Sequence, residues 1–260
     1  MIKETIIRVL SKSLYALGAV LILLVFWQLL VMFGGVNRAL LPPPLYVFET
    51  LGNMIRTGEL LIHIQISLYR FFVGYSLAVV AGLVLGLIIG QVAFLSKLTD
   101  PLTQLLRPIA PVAWMPFIVL LFGIGDMPAI MIIFIAAFYP VLLSTISASK
   151  KIDKSYLRVA QTFEIKQPQL FFKIIVPAIF PYIANGMHLG LGTAWVFLVA
   201  GEMMGVRSGL GFLIMDSRNN MQPEVLLATI CVIAVLGLVL DKIVSFFEVR
   251  INKHWGIQTE

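Results

Sequence analysis

The chain has 260 residues, 60% of them hydrophobic and 12% charged, which excludes an ordinary soluble domain, where about a quarter of residues are charged. On so apolar a chain a net charge of +6 points to membrane topology rather than to nucleic acid. The single cysteine, Cys231, excludes an intrachain disulfide.

Runs long enough to cross about 30 Å of hydrocarbon are predicted at 13–33, 70–92, 108–123, 128–149, 178–201 and 224–247. The first follows Lys3, Arg8 and Lys12, as in a signal peptide. It is too long for a typical signal core and no small-residue cleavage site follows, so it is expected to be a retained span. Next, Pro42-Pro43-Pro44 leads into Leu45, Phe48, Leu51 and Ile55 at near-helical spacing, ending at Gly58. Proline in the first turn and glycine past the end predict a short helix in the outer interface.

The second span carries Gly82, Gly86 and Gly90 at four-residue spacing. Such a stripe lets backbones approach, inside one subunit or at a dimer seam. The third span holds Pro108, Pro111 and Pro116, which predicts a broken or tilted helix.

After the fourth span comes a polar island with Lys150, Lys151, Lys154, Arg158, Lys166 and Lys173 against Asp153 and Glu164. It is expected to lie in water at a membrane face. Asp153 suits a helix N-cap. Tyr156, Leu157, Ala160 and Phe163 then share one face, and Pro168 suits the first turn of a following helix. The pattern fits both a helix that docks on another protein and one that rests on lipid headgroups.

The fifth span has Gly186 and Gly190, with Gly201 and Gly205 continuing the period. The glycine-rich stretch 202–223 reads as a loop or re-entrant segment at the outer mouth.

With the N-terminus inside, fourteen of the 19 Lys and Arg fall in cytoplasmic segments. The positive-inside rule then places both termini and the 150–173 loop in the cytoplasm.

No G-x-x-x-x-G-K-[ST] is present, so nucleotide hydrolysis through a P-loop is excluded. His63, His188 and His254 are too scattered to suggest a metal cluster, and His188 reads as a polar group within a helix interface. The Gly205–Gly209 stretch misses the G-x-S-x-G spacing of a serine hydrolase. A secondary carrier would need mid-membrane carboxylates or inverted repeats, and neither is evident.

The segment ending Ile174-Ile175-Val176-Pro177 resembles the cytoplasmic loop of binding-protein-dependent ABC importer permeases, which ends I-x-L-P. Counting back, Arg158-Val159-Ala160 falls on that family's E-A-A and Glu164 on its glycine, so two key positions depart. LLRPIAPVAWMPFIVLLFGIG (105–125), AWVFLVAGEMMG (194–205) and SGLGFLIMDSRN (208–219) are similar to permeases for sulfonate, taurine, nitrate and related anions.

The resemblance implies an all-α polytopic permease of type I importer fold. It would be one domain over 1–260, six transmembrane helices with a cytoplasmic coupling helix, in a bacterial inner membrane. It implies a homodimer, two separate ATPase subunits and an external substrate-binding protein. ATP and Mg would be bound by the ATPases, with no cofactor, metal or catalytic residue in this chain. Asp153, Tyr156, Leu157, Arg158, Ala160, Gln161, Phe163 and Glu164 would form the coupling surface. Other small metabolites, such as bicarbonate, cyanate or a vitamin precursor, suit the same machinery.

A path on the dimer axis would have Trp114, Met115, Trp195, Glu202 and Arg70 as candidate lining. For the tryptophans, packing or interface anchoring is the alternative; for Arg70, a snorkelling topological charge. Glu202 needs water or a cationic partner, for which Arg207 and Arg218 are at hand.

Overall fold

A computed structural model describes residues 2–35, 37, 40–151, 167–170 and 174–254. All regular elements among them are helical. In chain order these are α1 (Ile2–Phe33), α2 (Pro44–Thr57), α3 (Glu59–Gln91), α4 (Ala93–Leu106), a 3-10 turn (Pro111–Trp114), α5 (Met115–Phe122) and α6 (Asp126–Lys150). A helical turn at Gln167–Leu170 precedes α7 (Val176–Gly205), α8 (Leu210–Asn219) and α9 (Pro223–His254). The coupling surface expected at 153–164 lies outside the described residues.

Among the described residues, four helices are long and apolar enough to cross a membrane: Glu59–Gln91, Asp126–Lys150, Val176–Gly205 and Pro223–Lys253. The described apolar stretch of α1, Gly18–Phe33, is shorter than these. The expected third span is broken outright: Ala93–Leu106 and Pro111–Phe122 are bent by 86°. Ala110, before Pro111, is extended at φ −60, ψ 134, as the proline ring requires. Gly123, at φ 74, ends α5.

Two other expectations shift. Arg70 does not open the second span, because α3 begins at Glu59 and Arg70 lies about three turns inside it. Gly58, left-handed at φ 78, stops α2, and Glu59 places a carboxylate in the first turn of α3. Of the loop and the re-entrant segment expected at 202–223, the loop is set aside. α7 runs on through Gly205, and α8 occupies Leu210–Asn219.

The chain divides into two units, Met1–Leu61 with Ile214–Val232, and Ile62–Leu213 with Ile233–Glu260. In the first, Val31, Val47, Met54 and Leu60 are buried. α2 has the proline start and glycine stop expected of it.

The second unit is built around α6. Of its apolar window 56% is buried, against 17% for α9, so α6 is the central helix. Gly74, Gly82, Gly86 and Gly90 of α3 approach Ile133, Val141, Thr145 and Ser149 in the same order, so α3 runs parallel to α6. A Cβ on Gly86 would sit 2.6 Å from the Thr145 Cβ. Gly186, Gly190 and Gly201 of α7 meet Ser144, Ala137 and Ala129 in reverse order, so α7 is antiparallel. Both stripes therefore serve packing within one subunit.

Phe71, Tyr75, Ile133, Ala137, Leu191, Trp195, Leu198 and Leu240 form the core where these helices meet α9. The Phe71 ring stacks on Tyr75 and meets Trp195 edge-on, both at 5.4 Å.

Candidate functional site: a buried ion cluster at one end of the bundle

His63, Ser67 and Arg70 recur on one face of α3. On an otherwise apolar helix this polar stripe must find partners. It finds them at the start of α6, the end of α7 and the start of α8.

Arg70 is 1% exposed and Glu202 0%. The Arg70 Nη1 donates to Glu202 Oε1 at 2.8 Å and to the Ser208 carbonyl at 2.7 Å. Its Nε and Nη2 donate to Asp126 Oδ1 at 2.8 and 2.6 Å, and Nη2 also to Ser208 Oγ at 2.9 Å. The planar fork thus uses its full donor set. Asp126, the first residue of α6, remains about half exposed and carries the cluster to the surface.

Glu202 is satisfied just as fully. Ser67 Oγ reaches its two oxygens at 2.9 and 2.8 Å, and the Gly211 N–H donates to Oε2 at 2.9 Å. Ser67 Oγ in turn accepts the Leu210 N–H at 2.8 Å, and His63 Nδ1 accepts the Gly209 N–H at 3.0 Å. The free donors at the start of α8 are therefore capped by side chains from α3 and α7. That is why a glycine-rich stretch folds as a helix here. Gly209 sits at φ 106 with the Glu202 carboxylate where a Cβ would stand, so a side chain is barred twice over.

The five expected lining residues separate. Arg70 and Glu202 come together. Met115 is buried with Ile118 and Ile132, its terminal methyl against Gly205, and Trp114 packs on that cluster half-buried. Trp195 lies in the main core, its Nε1 donating to the Ile233 carbonyl at 3.1 Å. Within the single chain Arg70, Met115, Trp195 and Glu202 are all turned inward.

The partner of Glu202 is Arg70, not Arg207 or Arg218, and Arg70 does not snorkel. Ser67 and Ser208 are not among the expected site residues, and His63, set aside above as a metal ligand, joins the cluster as a hydrogen-bond acceptor, although the spacing of 63, 67 and 70 signals a shared face. His188 lies in a helix interface as expected, with Nε2 at 2.6 Å from Glu248 and Nδ1 at 3.5 Å from Asp241 of α9.

Residues 78–253 match the family model described as binding-protein-dependent transport system inner membrane component. The chain is 37% identical over 236 residues to a Bacillus subtilis protein provisionally named as an aliphatic sulfonates transport permease, SsuC, across 89% of this chain and 84% of that one. It is 34% identical over 239 residues to the nitrate import permease protein NrtB of a Synechocystis species, across 88% and 86%. A chain of the inward-facing MetNI methionine ABC transporter shares the fold, with a TM-score of 0.61 at 20% identity over 75% of this chain and 95% of that one. An all-helical bundle of this fold, matched along most of its length by permease sequences, belongs to the binding-protein-dependent transport system inner membrane component family and is a transporter permease subunit.

Proposed function

We propose that this permease imports a small anionic solute, an aliphatic sulfonate such as taurine, or nitrate, by alternating access driven by separate ATPase subunits. The observation that carries the reading is similarity over nearly nine tenths of the chain to proteins named for sulfonate and nitrate import. Two copies would pair in a bacterial inner membrane, served by two ATPases that bind ATP and Mg and by an external binding protein. Six crossings, with both termini in the cytoplasm, accord with the basic residues, fourteen of 19 of which fall on one side.

In this scheme the coupling surface from Asp153 to Glu164 grips the ATPase. Closure of the ATPases on ATP favours one state of the permease by binding it more tightly. The wedge of α3, α6 and α7 is suited to move as a body, because glycine contacts and a shared core leave it little freedom to shear. Arg70 and Glu202 act as positioning residues that tie the three helices and the start of α8 together. Met115 and Trp195 support the path wall from behind, with Trp114 at its edge.

The test is uptake of labelled taurine and nitrate in cells that lack their own systems. The cells express this chain with an ATPase and a binding protein from the same source. Uptake that requires all three supports the reading. Uptake that survives a catalytically dead ATPase, driven by an ion gradient, overturns it.

A further inference from the structure

A second polar feature lies apart from the ion cluster. A cavity of about 380 Å³ opens between the 107–111 break and the facing sides of α6 and α7. Its wall is mostly apolar, with Leu143 and Phe197 among the lining side chains. Arg107 is the one charged residue in it among the described residues. Arg107 is itself exposed and belongs with the charges assigned to the cytoplasm, but Tyr139, midway along α6, lines the same cavity, so the cavity leads from the guanidinium towards the middle of the bundle.

The polar groups there fall into two sets. Pro140 has no N–H, which frees the carbonyl of Ala136 four residues earlier. Thr193 Oγ1 from α7 lies 3.0 Å from that carbonyl and also 3.0 Å from the carbonyls of Leu189 and Gly190 in its own helix, so its one proton is engaged among them. The Arg107 guanidinium and the hydroxyls of Tyr139 and Ser144 have no hydrogen-bond or ion-pair partner among the described residues. The contrast with Arg70, whose donors are all taken, is direct.

A cation and two hydroxyl donors in an apolar cavity with no carboxylate among the described residues select one negative charge on oxygen. We infer that Arg107, Tyr139 and Ser144 form an oxyanion station on the wall of the transport path, which takes a small monovalent sulfonate or nitrate in transit. This rests on the anion-import reading and names residues for it. One guanidinium and two hydroxyls hold an anion weakly, as passage requires.

The test uses the full chain in phosphatidylcholine nanodiscs and trifluoromethanesulfonate as the probe, followed by fluorine NMR line broadening. Wild type should broaden the line, and nitrate and methanesulfonate should reverse it. Arg107→Gln should weaken binding by about tenfold or more, as expected for loss of a charged hydrogen bond. Arg107→Lys should retain part of it. Tyr139→Phe should weaken it, and Lys97→Gln, which removes an equal charge outside the cavity, should not. Melting temperatures of all variants check folding.

No broadening by wild type, or equal broadening by a folded Arg107→Gln, overturns the station. Loss of broadening when phosphatidylglycerol replaces phosphatidylcholine would make the occupant a lipid phosphate, and also overturns it. Failure of the assembled importer to take up any anion, with probe binding intact, would count against the import reading alone.

Discussion

Arg70 on α3 and Glu202 on α7 meet at 2.8 Å with side chains only 2% and 0% exposed, 132 residues apart in the chain. Such a pair is an expensive way to join two helices unless its polar groups are satisfied, as the guanidinium protons and both Glu202 oxygens are here. Removal of either partner should therefore destabilise strongly. Glu202→Ala and Arg70→Ala should each cost about 3–5 kcal/mol. Arg70→Lys should recover only part, since an ammonium cannot span Glu202, Asp126 and Ser208 together. Melting of detergent-solubilised protein checks this, and a double variant should be less destabilised than the sum of the two single changes.

Thr193 Oγ1 is the hydroxyl within reach of the Ala136 carbonyl that Pro140 leaves without a donor, at 3.0 Å, the same distance as to two carbonyls of its own helix. Thr193→Val should leave the Ala136 carbonyl unpaired, at a cost of about 1–3 kcal/mol. Pro140→Ala returns a backbone donor to that carbonyl. The double variant should then be less destabilised than additivity requires, provided α6 accepts alanine at that position. Additive losses in thermal melting would remove the proposed exchange of donors.

The proposed topology is open to direct labelling. With Cys231 replaced by serine, cysteines introduced at Val36, Gly58 and Arg207 should react with an impermeant maleimide in intact cells. Those at Lys97, Ser155 and Gly256 should react only after lysis. Arg207 is preferable to its neighbour, because Ser208 is engaged by Arg70. Labelling of Ser155→Cys in intact cells would contradict the orientation.

Coupling to an ATPase should depend on the 153–164 segment. Ala160→Asp places a charge on the apolar face and should abolish uptake while insertion and melting stay unchanged. Arg158→Glu should reduce retention of the ATPase through purification, by about 0.2–1 kcal/mol if the pair is exposed. A reciprocal charge reversal on the ATPase surface should restore part of the loss, more so at low salt. Full uptake by Ala160→Asp would favour a helix that rests on lipid.

Composition and run length alone determined the membrane class and most of the helices, because hydrocarbon demands long apolar stretches with paired backbones. The glycine period of α3 and the proline start of α2 were legible for the same reason, since each is a local rule of backbone geometry. The 202–223 stretch hides its helix because two of the side chains that cap it, His63 and Ser67, are 146 and 143 residues away in the chain, far outside the local window that propensity reads. The partner of Glu202 was equally hidden. Arg207 and Arg218 are near in sequence, but Arg70 is brought into contact by the close packing of α3 and α7 on α6. Which cation is spent on a carboxylate and which, like Arg107, is left facing a cavity was decided only by tertiary structure, because that depends on what the helices place within about 3 Å of each guanidinium.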